Sequence, residues 1–160
     1  MSASGPGTNG SEATVKTGER RFLLFRLGGD PFAMDSAPVQ EILTLPPLTR
    51  VPRMPRWLMG LMNLRGEVVP IVDPRAALNC RGEIPAGTAR VIVLDCSRGR
   101  VGFVADSTAD VALVAEQDIL PAEHAGRDFA DSIDGLLMRG DQLVPVIDPE
   151  SFFCGRSFRI

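Results

Sequence analysis

The chain has 160 residues, of which 44% are hydrophobic and 23% are charged, and its formal net charge is −3. This content of apolar side chains is sufficient for a buried core and excludes a wholly disordered chain. A mildly acidic chain whose arginines are scattered is also not typical of proteins that bind nucleic acid.

Residues 1–20 are predicted to form a disordered tail, because they are rich in Gly, Ser and Thr and nearly free of large apolar side chains. This segment lacks the apolar centre of a signal peptide, and no apolar run of about 18 residues follows that would insert into a membrane. We therefore expect a cytoplasmic protein without direct membrane insertion. Residues 154–160 are predicted to be a short C-terminal tail.

Short apolar segments separated by glycine and proline predict β-strands from Phe22 onward. Phe22–Leu27 and Phe32–Met34 form a predicted hairpin, and an alternating strand follows at Val39–Leu43. The prolines within residues 46–56 exclude a long helix there.

A second hairpin is predicted around Gly66, between strands at Leu61–Arg65 and Glu67–Asp73. Pro70 has no N–H to donate, so we expect it at an edge or a bulge of its strand. The residues Pro74–Leu78 are predicted to form a short helix, with the preceding Asp as its N-cap.

The second half of the sequence repeats the first. Gly60–Pro74 is echoed by Gly135–Pro149, with one residue missing before the second Arg-Gly and one gained after it. A fainter, ungapped echo of 33–42 lies at 102–111. Each half is too short for a β-sandwich but suits a small closed barrel.

The predicted fold class is therefore all-β: two five-stranded barrels packed on each other, with short helical turns. The expected halves are residues 21–88 and 89–153, intertwined in one domain that spans 21–153. A barrel of this size is marginal alone, which is why the two are expected to share an interface.

Residues suited to catalysis or to binding a cofactor are few. Cys80, Cys96 and Cys154 are too far apart for a zinc or redox pair, so free thiols, no metal and no cofactor are expected. Asp73 and Asp148 share the same Asp-Pro context and are interpreted as helix caps. These features favour a binding module that is not an enzyme.

Two alternatives stay open at this point. A small ligand-binding or hydrolytic β-barrel would require Asp106, Asp110 and His124 to converge in one pocket. The second alternative is that the chain is a fragment of a larger signalling protein, although no receiver or ATPase motif is present in it.

The proline-stiffened segment Val51–Met59 combines Arg, Met and Trp side chains, which are enriched at interface hot spots. The alternative interpretation is that Trp57 and Leu58 plug the floor of the first barrel.

Several blocks of the sequence together resemble the signature of CheW-like domains, over about residues 21–153. The blocks in question are Val39–Ile42, Arg50–Pro52, Pro55–Gly66, Val68–Asp73, Val91–Leu94, Val101–Asp106 and Gly135–Phe153. The Asn-Leu-Arg-Gly at residues 63–66, with a Gly upstream and Pro-x-x-Asp downstream, is the specific part of this resemblance.

The resemblance implies two SH3-like barrels, no enzymatic activity, and the role of a scaffold in bacterial chemotaxis. Such an adaptor couples the cytoplasmic tip of chemoreceptors, the methyl-accepting chemotaxis proteins, to the regulatory domain of a CheA-type histidine kinase. The expected location is the cytoplasm, with recruitment to receptor arrays. An adaptor of a pilus-driven or other chemosensory pathway stays open as an alternative.

The resemblance also implies partner-binding residues, namely Val39, Glu41, Asn63, Arg65 and Gly66. Glu41 and Arg65 correspond to a paired, function-sensitive spot of the family, and Val39 lies on the strand of Glu41. A carboxylate that orients a planar guanidinium gives a partner directional hydrogen-bond donors, which a lysine does not reproduce.

Overall fold

The computed structural model of the chain describes residues 18–78, 80–122 and 133–153. The predicted tails therefore lie outside the described residues, except that the first strand already begins at Glu19. His124 also lies outside them.

The fold is built almost entirely of β-strands. The strands are β1 (Glu19–Leu27), β2 (Asp30–Asp35), β3 (Val39–Thr44), β4 (Leu58–Leu64), β5 (Glu67–Val72), β6 (Arg90–Cys96), β7 (Gly99–Ala105), β8 (Ser107–Ala115), β9 (Ile119–Pro121), β10 (Gly135–Arg139) and β11 (Gln142–Ile147). A 3-10 turn at Glu116–Asp118 joins β8 to β9, and the helix α1 (Pro149–Phe153) follows β11.

The strands form two sheets, which confirms the all-β prediction. One sheet has six strands in the order β8-β1-β2-β11-β10-β9, and the other has five in the order β3-β6-β7-β5-β4. The sixth strand of the larger sheet is β9, which has three residues and pairs with β10.

Each sheet contains strands from both halves of the sequence. The β1–β2 hairpin pairs with β8 and β11, and the β6–β7 hairpin pairs with β3 and β5. The two exchanges occupy equivalent positions of the repeat, because the parallel pair Ile71↔Gly102 matches the parallel pair Val146↔Ala33. The repeat therefore appears in space as two hairpins that are exchanged between the sheets.

The hairpin registers correct the alignment of the repeat. Asn63 lies opposite Val68, and Met138 lies opposite Leu143, in hairpins that both have two-residue turns. The two copies therefore align without a gap. The predicted equivalence of the two Arg-Gly pairs is wrong, because Arg139 is the last residue of its strand and Arg65 is the first residue of its turn.

The buried side chains form one cluster inside each sheet and a larger cluster between the sheets. On β6, Val91 and Val93 belong to the cluster of the five-stranded sheet, whereas Ile92 and Leu94 belong to the cluster between the sheets. Successive residues of a strand point to opposite faces, so an uninterrupted apolar run marks a strand that is buried on both faces. Trp57 packs against the cluster between the sheets, which favours its interpretation as part of the core.

Aromatic rings pack together in the cluster between the two sheets. The ring centroids of Phe25 and Phe103 lie 5.2 Å apart in an edge-to-face arrangement. Phe103 also stacks on Phe153 of α1 at 4.6 Å. These contacts join β1, β7 and the helix, so that each sheet contributes to one shared core.

The prolines of the second hairpin strands lie where one side of the strand is unpaired. Pro70 on β5 pairs with Leu61 of β4, and the pairing with β7 begins only at Ile71. The missing N–H therefore removes no bond to β7. Pro145 on β11 occupies the equivalent position, since the pairing with β2 begins at Val146.

The predicted short helix at Pro74–Leu78 is a series of turns instead, with Leu78 N–H donating to Pro74 O at 3.1 Å. The equivalent Asp148 does precede a helix, α1, and its carboxylate accepts a hydrogen bond from Ser151 Oγ at 2.6 Å. Within the described residues, no helix is long and apolar enough to cross a membrane.

Candidate functional site

The candidate site lies where the two edge strands of the five-stranded sheet approach each other. Glu41 is on β3, directly after an irregularity in the register between Val39 and Glu41. Arg65 is in the turn that follows β4. Since β3 and β4 are the first and last strands of the sheet, contact between these side chains joins its two edges.

The turn that carries Arg65 has an unusual composition. Arg65 and Gly66 both have positive φ angles, 52° and 87°, in a two-residue connection between β4 and β5. This is the pattern of a type I′ turn, whose first position normally holds Asn, Asp or Gly. A non-glycine residue in the left-handed region is unfavourable unless the surroundings impose it.

Asn63 stabilises this turn from the preceding strand. Its side-chain oxygen accepts a hydrogen bond from the backbone N–H of Gly66 at 3.0 Å. Asn63 and Gly66 therefore build the turn on which Arg65 is displayed, and this explains the specificity of the Asn-Leu-Arg-Gly block in physical terms.

Arg65 and Glu41 form a bidentate ion pair. Nη1 of Arg65 donates to Oε2 of Glu41, and Nη2 donates to Oε1 at 3.0 Å. The Arg65 side chain is 71% exposed and that of Glu41 is 22% exposed. The hydrogen bond from Arg65 holds the pKa of the Glu41 carboxyl below its usual range, and the same bond raises the pKa of Arg65.

A second ion pair lies beside the first. Nη1 of Arg100, on β7, donates to Oε1 of Glu67, on β5, at 2.7 Å. The positive charge of Arg100 also lowers the pKa of Glu41, although less than Arg65 does. The sequence interpretation missed Glu67 and Arg100, because nothing in the linear pattern indicates that β7 lies next to β5.

Two apolar side chains lie exposed on the strands that carry these charges. Val68 on β5 is 61% exposed and lies opposite Asn63, and Ile42 on β3 is 39% exposed. Val39 is partly buried and packs against the cluster between the sheets. Val39 thus supports β3 from within, whereas Glu41 and Arg65 present their charged groups at the surface.

The other half of the repeat retains the acid but not the arginine. Asp110 on β8 corresponds to Glu41 and is exposed, whereas the position of Arg65 is taken by Gly140. In that half, Met138 and Leu143 lie opposite each other on adjacent strands, and their side chains are 56% and 44% exposed. The ion pair across the sheet edges is therefore specific to the five-stranded sheet.

The residues of the hydrolytic alternative do not form a site within the described part of the chain. Asp106 contacts the buried Arg75 at 3.4 Å and accepts a hydrogen bond from Gly29 N–H at 3.3 Å. Asp110 lies four residues further along the chain, on β8, roughly 10 Å or more away along an extended strand. His124 is outside the described residues, and Asp106 is engaged in a structural ion pair.

Of the cysteines that the structure describes, Cys80 is a free thiol. Burial, together with the nearby carboxylates of Asp30 and Asp106, raises the pKa of the Cys80 thiol to about 11. Cys80 is therefore protonated at neutral pH. Cys154 lies outside the described residues.

Comparison with known proteins identifies the family. Residues 21–155 match the family model of the CheW-like domain. The chain is 33% identical to the chemotaxis protein CheW of Klebsiella aerogenes, over 88% of this chain and 85% of that protein. It is 31% identical to the chemotaxis protein CheW of Rhizobium meliloti, over 87% of this chain and 90% of that protein.

A solved structure shows the same fold. The crystal structure of the scaffolding protein TtCheW from Thermoanaerobacter tengcongensis aligns with a TM-score of 0.76 at 20% identity, covering 82% of this chain and 86% of that chain. The match of the family model, the similarity over most of both sequences and the shared fold lead to one conclusion: this chain belongs to the CheW-like domain family.

Proposed function

We propose that this chain couples the cytoplasmic tip of a chemoreceptor to the regulatory domain of a CheA-type histidine kinase, with the Glu41–Arg65 surface as a partner-binding site. Membership in the CheW-like family and the relatives named chemotaxis protein CheW identify a chemotaxis adaptor that is not an enzyme. The proposal includes the identity of the two partners, the cytoplasmic location at receptor arrays and the residues that bind.

The observation that carries the site assignment is the conformation of Arg65. A turn of this type is more stable with Asn or Gly, so the arginine is held there at the expense of backbone stability. Its ion pair with Glu41 is exposed and adds little to the stability of the fold. Binding a partner is a function that accounts for both features.

The geometry fits recognition of a protein surface. Glu41 fixes the plane of the guanidinium, and the exposed remainder of that group keeps N–H donors directed toward solvent. The exposed Val68 supplies apolar area on the same hairpin as Arg65. Arginine is one of the residue types that are enriched at interface hot spots.

A charge exchange tests whether Arg65 contacts the partner itself. The variants are Arg65→Glu, Glu41→Arg and the double exchange, with Arg98→Glu as the control, because Arg98 is exposed on another hairpin. Binding to the purified kinase regulatory domain and to a receptor tip fragment is measured by isothermal titration calorimetry.

We expect both single variants to lose affinity for at least one partner, and the double exchange to leave that affinity low, since the guanidinium then projects from a different strand. The expected loss is about tenfold or more for a charge within an interface. Unchanged affinity of Arg65→Glu for both partners would contradict the site assignment. A loss of the same size in Arg98→Glu would show a general charge effect instead.

A further inference from the structure

A second feature of the molecule, remote from Arg65, is the segment between β3 and β4. The segment Arg50–Arg56 reads Arg-Val-Pro-Arg-Met-Pro-Arg, with an arginine at every third position, and we call it the arginine loop. It precedes β4, whereas Arg65 follows it. The seven residues of β4 place Arg56, at the end of the loop, roughly 20 Å from Arg65.

The arginine loop is anchored to the fold at both ends. Before it, Thr49 pairs with Leu61 of β4. After it, the backbone oxygen of Trp57 accepts a hydrogen bond from Asp73 N–H at 2.7 Å. Between these anchors, Met54 packs against the cluster between the sheets. The loop therefore has a defined path, and its apolar side chain points inward.

The three arginines point the other way. Arg50, Arg53 and Arg56 are all exposed, and none of them forms an ion pair or side-chain hydrogen bond with another residue that the structure describes. By contrast, Arg20, Arg65, Arg75 and Arg100 all pair with carboxylates. The loop thus concentrates unneutralised positive charge on a chain whose net charge is −3.

The backbone of the loop holds these arginines in a costly conformation. Arg53 has a φ of 63° and follows Pro52 in a turn, which is the pattern of a type II turn whose third position normally holds Gly or Asn. Pro55 begins the next turn, which Leu58 N–H closes on Pro55 O at 3.0 Å. Two proline turns in succession fix the loop in advance of binding, which reduces the entropy lost on association.

From these observations we propose that the arginine loop is a docking surface for a carboxylate-rich segment of a second protein, distinct from the Glu41–Arg65 site. Guanidinium groups bind carboxylates through paired hydrogen bonds, and a rigid spacing of three residues suits an extended acidic segment. This second surface goes beyond the coupling of receptor and kinase through Arg65.

The chemistry of the loop favours a protein partner over a membrane or a nucleic acid. A membrane-binding loop presents aromatic or long apolar side chains to the bilayer, but Met54 and Trp57 pack inward against the core. A nucleic acid or anionic bilayer also repels the remainder of an acidic chain. A short acidic segment contacts the loop alone and avoids that repulsion.

The test uses the full chain and a fluorescein-labelled hexaglutamate peptide, followed by fluorescence anisotropy at low and at high ionic strength. The loop variant combines Arg50→Ser, Arg53→Gly and Arg56→Ser, and the glycine suits the positive φ of Arg53. Arg98→Ser is the matched control, since Arg98 is an exposed arginine in another hairpin. Vesicles of phosphatidylserine and a single-stranded oligonucleotide are the competing ligands.

We expect the wild-type chain and Arg98→Ser to bind the peptide with equal affinity. We expect the affinity of the loop variant for the peptide to be lower by about tenfold or more. Salt is expected to weaken binding, since the contacts are exposed. No binding by wild type, or equal binding by the loop variant, would overturn the proposal. Tighter binding of wild type to vesicles or oligonucleotide than to the peptide would overturn it in favour of that ligand.

The same assay separates this proposal from the function of Arg65. We expect Arg65→Gly to bind hexaglutamate like wild type, and we expect the loop variant to retain its affinity for the kinase regulatory domain. Loss of peptide binding in Arg65→Gly would show that the two surfaces are one, and would overturn the proposal of a separate docking surface.

Discussion

Arg65 and Glu41 connect the last and the first strand of the five-stranded sheet through a bidentate ion pair. The pair thus spans the open edges of the sheet at the surface. No equivalent pair is present among the described residues of the other sheet, where Gly140 takes the place of the arginine. The pair therefore is not a requirement of the fold, which supports the proposed role in binding.

Replacing Arg65 with glycine is expected to separate stability from binding. Arg65→Gly removes an exposed ion pair but also the strain of a non-glycine residue at a positive φ. We expect the free energy of unfolding to stay equal or to rise, and affinity for a partner to fall about tenfold or more. Urea denaturation and titration calorimetry measure the two effects. A clear loss of stability would show that the ion pair is structural.

The ion pair is expected to depend on pH in the acidic range. The pKa of Glu41 is lower in the folded chain, so the pair stabilises the fold above the usual carboxyl pKa. That contribution is lost as the pH falls through the lowered pKa. Carbon-13 NMR titration of the Glu41 carboxyl should give a lower pKa in wild type than in Arg65→Gly. Identical titration curves would mean that the pair does not persist in solution.

Arg75 is expected to be the most sensitive charged position of the fold. Its side chain is 7% exposed and contacts Asp73 at 3.3 Å and Asp106 at 3.4 Å. Arg75→Ala leaves two partly buried carboxylates unpaired, and we expect a loss of about 2–4 kcal/mol in the free energy of unfolding. Urea denaturation measures it, with the exposed Arg98→Ala as the control. A loss below about 1 kcal/mol would contradict the prediction.

A methyl group at Gly135 is expected to destabilise the six-stranded sheet. A Cβ atom at this position would lie 2.8 Å from the backbone oxygen of Leu120, which belongs to the adjacent strand. We expect Gly135→Ala to lower the free energy of unfolding by about 1–3 kcal/mol, which is typical of overpacking. Gly60→Ala is the matched variant, since its Cβ atom would lie 2.7 Å from Thr49 O. If both variants unfolded at the thermal midpoint of the wild type, the close approach of these glycines to the neighbouring backbone would be disproved.

Cys80 is expected to react slowly with alkylating reagents at neutral pH. Its pKa is raised to about 11, and the thiolate is the reactive form. The rate of modification by iodoacetamide should therefore keep rising well above pH 9, the region where an ordinary thiol approaches its limiting rate. Peptide mass spectrometry distinguishes Cys80 from the other cysteines, with glutathione as the reference thiol. A rate that levels off near pH 9 would contradict the raised pKa.

Much of the local structure was predictable from the sequence. The strands at Phe22–Leu27, Val39–Leu43 and Glu67–Val72 follow from apolar runs and alternation bounded by Gly and Pro, because these patterns depend on neighbouring residues only. The contact between Glu41 and Arg65, expected from the resemblance, is present in the structure. Whether Val39, Glu41, Asn63, Arg65 and Gly66 bind a partner stays a prediction.

Other features could not be predicted, because they depend on which strands become neighbours. The pair Glu67–Arg100 forms only because β5 and β7 lie side by side in parallel, at Ile71 and Gly102. The short helix predicted at Pro74–Leu78 is a series of turns, in which Arg75 contacts Asp106, a residue that is distant along the chain.

The sequence by itself determined that this chain is a repeated all-β protein, since alternation, turn residues and the recurrence of Gly60–Pro74 at Gly135–Pro149 are local properties of the chain. Only the tertiary structure decided how the repeats combine. The β1–β2 and β6–β7 hairpins are exchanged between the sheets, and this brings together residues that are distant along the chain. The physical reason is that the pairing of non-adjacent strands is selected by burial of both faces in a shared core, a property of the whole fold.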